Sequence, residues 1–156
     1  MARVPRERTQ RSETMNLTPH FTIEELAGTS NAQYKKLNSL KAQEQMGKMY
    51  LLAGFAERVR EIVGKPLIIT SGYRCPELNK AIGGALTSQH LFCEAIDIVV
   101  KGMGVQDVFD RIVNSDLKYN QIIIERNKSG SQWVHVSIGG HKQKLQFDGK
   151  QYIRLD

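Results

Sequence analysis

The hexapeptide Ala95–Val100, AIDIVV, constrains this chain more than any other stretch, because it sets one carboxylate among apolar, mostly β-branched residues. A run of that composition reads as a strand with at least one buried face. Left unpaired there, Asp97 would carry a heavy desolvation cost, so the fold must bring a partner to it. Two kinds of partner fit. One is an arginine, with Arg74 the candidate. The other is a metal ion shared with His90, seven residues upstream, and with His135. Two neutral imidazoles and one carboxylate form a common zinc set that leaves a fourth position for water. The residues taken singly leave both partners open.

Periodicity places the surrounding elements. In FTIEELAGTS, Thr22 caps a short helix, Glu24 and Glu25 occupy its first turn and Gly28 closes it. The polar stretch NAQYKKLNSL carries only weak signals. Next, KAQEQMGKMYLLAGFAERVREIVGK spaces Met46, Met49, Leu52, Phe55, Val59 and Ile62 three and four residues apart and ends at Gly64, which marks the main amphipathic helix. PLIITSGYR reads as a short buried strand, and CPELNKAIGG as a brief helix opened by proline and stopped by paired glycines. AIDIVV is a strand, and VQDVFDRIVNSD is a second amphipathic helix with Val105, Val108, Phe109 and Ile112 on one face. QIIIE and QWVHVSI are strands joined by the turn-rich RNKSGS, and in the second Trp133, His135 and Ser137 alternate with Val134, Val136 and Ile138. Asp148-Gly149 sits between two strand-like runs as a hairpin signal. The expected fold class is α+β, with helices packed on one side of a small, mostly antiparallel sheet.

Length and composition limit the alternatives. A chain of 156 residues supports one hydrophobic core, expected over residues 17–156, behind a basic flexible leader or tag over 1–16 that holds four arginines among its first eleven residues. With 40% apolar and 24% charged residues the chain reads as globular, and no stretch approaches the roughly 20 apolar residues that span a bilayer. The first residues lack the apolar middle of a secretory signal, so synthesis in the cytoplasm without a signal peptide is expected. A net charge of +6 suits an anionic partner such as nucleic acid, a cell-wall polymer or a membrane surface. Cys75 and Cys93 match neither a disulfide framework nor a zinc spacing and are expected as free thiols.

Three segments in order, SGYRCPELNKAIGG, SQHLFCEAIDI and WVHVS, resemble the zinc D-Ala-D-Ala carboxypeptidase and L-alanyl-D-glutamate endopeptidase family, in particular its small phage and prophage members. The resemblance extends over roughly residues 17 to 156 and implies the fold shared by LAS-type metallopeptidases and the hedgehog signalling domain. Carried over residue by residue, it implies His90, Asp97 and His135 as the ligands of a Zn2+ ion. It also implies Arg74 as the group that holds a substrate carboxylate or a developing oxyanion, and Ser88 as a lining residue of the substrate site. The substrate would be the stem or cross-bridge peptides of bacterial peptidoglycan. The protein would act on the wall after lysis or as part of a virion, as a monomer or within a phage particle, and nucleic acid is not the expected partner.

The general base is where the pattern varies. Many relatives carry an acid three residues before the last histidine, and this chain has Gln132 there, which accepts no proton. Other small members use a glutamate that ends the preceding strand, and QIIIE supplies Glu125. The connection RNKSGSQ is longer than the family pattern, and Cys93 stands where the motif usually has glycine, a residue that tolerates positive φ. These departures keep an alternative in play, a zinc-stabilised structural or wall-binding module without turnover.

Overall fold

The computed structural model describes residues 15–155, so the arginines of the expected leader lie outside the described residues. The first helix, α1 (Ile23–Ala27), closes on a reciprocal cap: Thr22 Oγ1 accepts the Glu25 N–H at 3.1 Å, and the Glu25 carboxylate accepts the Thr22 N–H at 3.2 Å. The segment expected as the main helix, residues 41–65, is interrupted at Glu44–Gln45: α3 (Met46–Val63) carries its apolar face, and residues 41–43 end a separate helix, α2 (Lys35–Gln43), that begins in the polar stretch before it. Polar composition hides α2 because its anchor is an asparagine. The fully buried Asn38 side chain donates to the carbonyls of Ala27 (2.7 Å) and Tyr73 (3.0 Å) and accepts the Cys75 N–H (2.7 Å). One carboxamide thereby satisfies three backbone groups that would otherwise be buried unpaired. Helix α3 buries Met49, Leu52, Ala53, Ala56, Val59 and Val63, leaves Phe55 and Ile62 partly covered, and ends at the left-handed Gly64.

A six-stranded sheet follows in the order β1-β2-β4-β3-β5-β6, formed by β1 (Ile68–Ser71), β2 (Ala95–Val99), β3 (Gln121–Arg126), β4 (Gln132–Ser137), β5 (Gln143–Phe147) and β6 (Tyr152–Arg154). Every neighbouring pair is antiparallel except β3 with β5. The fold is α+β, as expected. Strand β1 differs from its expected burial: it is an edge strand with Ile68 half exposed. A short apolar run reads the same at an edge as at the centre, so only the strand order separates the two cases. Helix α4 (Pro76–Ala81) starts at its proline, and α5 (Val105–Val113) buries Val108, Phe109 and Ile112.

The core lies on one face of the sheet. There Ile96, Ile98, Ile122, Ile124, Val134 and Val136 pack with the apolar faces of α1, α3 and α5. The intervening residues necessarily point the other way. Their pairings run Ser71↔Asp97, Asp97↔His135, His135↔Ile123 and Ile123↔Leu145, a single row across the sheet. Residues 83–90, between α4 and the 3-10 turn Gln89–Phe92, border this second face and turn it into a cleft. Among the described residues no helix is long and apolar enough to cross a membrane.

Candidate metal centre and cleft

Asp97 and His135 meet because they are directly paired across β2 and β4 on the face that the core does not use. The His135 Nδ1 lies 2.9 Å from Asp97 Oδ1. His90 arrives from the 3-10 turn, whose Ser88 Oγ accepts the His90 N–H at 3.3 Å, and its Nε2 lies 3.3 Å from the same Asp97 oxygen. Both rings and the carboxylate are buried, and the rings meet edge to face at 5.2 Å. Asp97 therefore does not pair with Arg74. Its partners are the two imidazoles.

Each ring is tied down from behind. His90 Nδ1 is 2.6 Å from the Gly72 carbonyl, and His135 Nε2 is 3.0 Å from Gln89 Oε1. Both partners are acceptors, so these nitrogens carry the ring protons, and in the neutral tautomers the remaining nitrogen of each ring presents a lone pair to Asp97. Burial works against ionisation of the Asp97 carboxyl. With both rings protonated, hydrogen bonding and charge from His135 and His90 outweigh it and hold the group well below the usual carboxylate range. An anion and two lone pairs facing one another demand a positive charge between them, supplied by added protons or by a cation. The three donor atoms lie within 4.8 Å of one another, and their spacings of 2.9 and 3.3 Å are near the roughly 3.3 Å edge of a tetrahedron with ligands about 2.0–2.1 Å from its centre. This His-Asp-His group fits a divalent metal ion.

The backbone permits this convergence at Gly72. A Cβ at Gly72 would collide with the Leu26 carbonyl oxygen, and the close approach is used: the Tyr73 N–H donates to that oxygen at 2.7 Å, leaving the Gly72 carbonyl to His90.

Arg74, Ser88, His90, Asp97, Glu125 and His135 all line one open cleft of about 480 Å³. Arg74 Nη1 donates to Asn79 Oδ1 at 3.0 Å, and its Nη2 lies 3.5 Å from Ser88 Oγ. Its Nε is buried without a hydrogen-bond partner, and among the described residues no carboxylate forms a salt bridge with it. Burial lowers its pKa, yet a guanidinium stays cationic, so the cleft contains a fixed positive charge that no carboxylate of the described residues neutralises in direct contact.

Glu125 pairs with Trp133 across β3 and β4 and shares the cleft face with His135. The long connection leaves this register intact. Its extra residues form a closed loop in which Asn127 bonds Ser131 through both backbone and side chain. Burial raises the Glu125 pKa above the ordinary carboxylate value, against a smaller lowering by its hydrogen bond from Tyr152, whose hydroxyl lies 3.1 and 3.3 Å from the two carboxylate oxygens.

Other residues fall away from the cleft. Gln132 is exposed at the start of β4, so the acid missing there leaves no buried gap. Cys93 occupies the left-handed conformation (φ 57°) that the glycine of the motif implies, and it is buried beside Lys48, Leu51, Phe55 and Ile138. Burial pushes its thiol up to about 11, so it is no reactive thiolate. Both cysteines are free. His20 caps onto Glu57 and His141 is exposed. Periodicity and motif passed over two cleft residues, Gln89 and Tyr152, together with Asn79, which holds Arg74 from outside the cleft lining. Gln89 stood inside the SQH motif, whereas only the β5–β6 register shows where Tyr152 goes.

The family model for peptidase M15 matches residues 19–137, well over half of the chain. Among curated proteins, none matches. The matched segment runs from just ahead of α1 to the end of β4 and so contains every member of the His-Asp-His group, Arg74, Ser88 and Glu125. By the extent of that match and the chemistry it encloses, the chain belongs to the peptidase M15 family, and with it to the hydrolases and metallopeptidases.

Proposed function

We propose that the protein is a zinc-dependent peptidase that hydrolyses peptide bonds in the stem or cross-bridge peptides of bacterial peptidoglycan. The observation that carries this reading is the inward convergence of one carboxylate and two ring nitrogens in a cleft that also holds a guanidinium with no salt bridge among the described residues and a carboxylate of raised pKa. His90 Nε2, Asp97 and His135 Nδ1 would hold the ion. A zinc ion there supplies a Lewis acid for the scissile carbonyl and lowers the pKa of a water.

The remaining roles belong to the chain. Glu125 accepts a proton from the attacking water, whose oxygen bonds to the carbonyl carbon. Glu125 then returns that proton to the amide nitrogen as the C–N bond breaks, releasing a carboxylate and an amine. Its raised pKa suits both halves of the transfer. Arg74, with Ser88 beside it, receives a substrate carboxylate or the developing oxyanion, where a guanidinium fork matches paired oxygens. Residues 17–156 act as one peptidase domain, and the net charge of +6 favours adsorption to an anionic wall, reached at lysis or from a virion.

Mass spectrometry of purified peptidoglycan incubated with zinc-loaded protein tests this, with Glu125→Gln and His135→Ala in parallel. New peptide ends that vanish in both variants are expected, and their masses distinguish terminal D-alanine release from cleavage inside the stem. Tight zinc binding with no product from several wall chemistries would instead establish the non-catalytic module.

A further inference from the structure

The matched family segment ends at residue 137, yet the cleft does not: Leu145 and Tyr152, from the C-terminal hairpin, line it as well. We propose that Tyr152 is a positioning residue that holds the Glu125 carboxylate in its working orientation, which makes the β5–β6 hairpin a functional part of the site. The inference rests on the assignment of Glu125 as the base.

Three features fix the tyrosine. Strand β5 runs parallel to β3 with Ile123↔Leu145 and Ile124↔Gln146, so the hairpin is docked directly beside the strand that carries Glu125. The turn is closed by Asp148 Oδ1, which accepts the N–H groups of Lys150 (2.8 Å) and Gln151 (2.9 Å), and it is tethered to the end of β3 by Arg126, whose Nη2 donates to the Asp148 carbonyl at 2.6 Å. The Tyr152 ring packs on its cross-strand partner Phe147 with centroids 4.9 Å apart. From that base its hydroxyl reaches both Glu125 oxygens, and among the described residues these are the hydrogen bonds that the carboxylate receives.

The phenol acts only as a donor. Partial desolvation of the hydroxyl, with the neighbouring Glu125 and Asp97 charges, pushes it up to about 12, so the O–H persists at any working pH. The ionisable groups that influence Glu125 are Tyr152 from β6, His135 from β4 and Asp97 from β2. Of these, Tyr152 alone is available to orient the carboxylate without also belonging to the metal group.

The test compares zinc-loaded wild type, Tyr152→Phe and Glu125→Gln by kinetics on a soluble stem peptide across pH, together with a carboxyl-carbon NMR titration of Glu125. Tyr152→Phe keeps the ring on Phe147, so the fold is retained. Expected is a loss of about tenfold in kcat with KM little changed, and an acid limb displaced to higher pH in step with the Glu125 titration, since the lost hydrogen bond favoured the ionised form. A Tyr152→Phe protein whose Glu125 titration matches wild type overturns the proposal, whatever its melting temperature does. The NMR readout needs no turnover. A wild type that cuts nothing would count against the peptidase reading, while the Glu125 shift would still decide the role of the tyrosine.

Discussion

The two faces of the sheet are built from the same strands and do opposite things. On one, Ile96, Ile98, Val134 and Val136 are fully buried against helices. On the other, Asp97 and His135 alternate with them and carry charge and lone pairs at the floor of an open cleft. The apolar face gains its free energy from area removed from water, and that gain is largely indifferent to small shifts. The polar face is stabilised only by exact partnering, and it needs a rigid floor to achieve it. Because a strand alternates strictly, packing Ile96 and Ile98 into the core also aims Asp97 at His135. The apolar face thus acts as the jig for the chemical one.

The sharpest way to break this division is to change chemistry without touching packing. Glu125→Gln should lower kcat by about 100-fold to 10,000-fold while leaving zinc content and melting temperature near wild type, as read by steady-state kinetics and metal analysis. The pH dependence follows from the raised Glu125 pKa. As the proposed base Glu125 works when ionised, so activity is expected to fall as pH drops through that value, and the acid limb should lie above the roughly 4.3 of an ordinary glutamate.

The reverse change tests the jig. Ile98→Ala, fully buried on the core face next to Asp97, should cost about 2–5 kcal/mol in denaturant unfolding, while protein that remains folded keeps most of its kcat. A kcat that collapses in step with stability would show that the two faces are coupled more tightly than alternation requires. The smallest expected effect sits in the cleft wall. Gln89→Leu removes the acceptor behind His135, releases the ring tautomer and should weaken zinc binding by about 10-fold to 100-fold in a chelator competition, with little change in stability.

Much of this division was legible from residue order alone. The carboxylate enclosed by apolar residues in AIDIVV announced a partnered Asp97, and the alternation in QWVHVSI separated His135 from the valines. What stayed hidden has identifiable causes. Helix α2 was obscured because its anchor is a buried asparagine, which no hydrophobic period records. The β1 strand looked central because a four-residue apolar run says nothing about its place in the sheet order. Arg74 was a plausible partner for Asp97 by charge, yet the structure gives it to Asn79 and Ser88.

By itself, then, the sequence determined the α+β class, the alternation that divides the sheet into a packed and a chemical face, and the residues that needed company. Those properties depend on local period and on the cost of burying a charge, both of which are carried by short stretches of chain. Only the tertiary structure decided which partners meet. The pairing of Asp97 with both imidazoles, the Gly72 and Gln89 acceptors that set the ring tautomers, and the tyrosine from beyond residue 137 that grips Glu125 all join residues distant in the chain. Their meeting depends on strand order and register, which are set by the packing of the whole core and by no single segment.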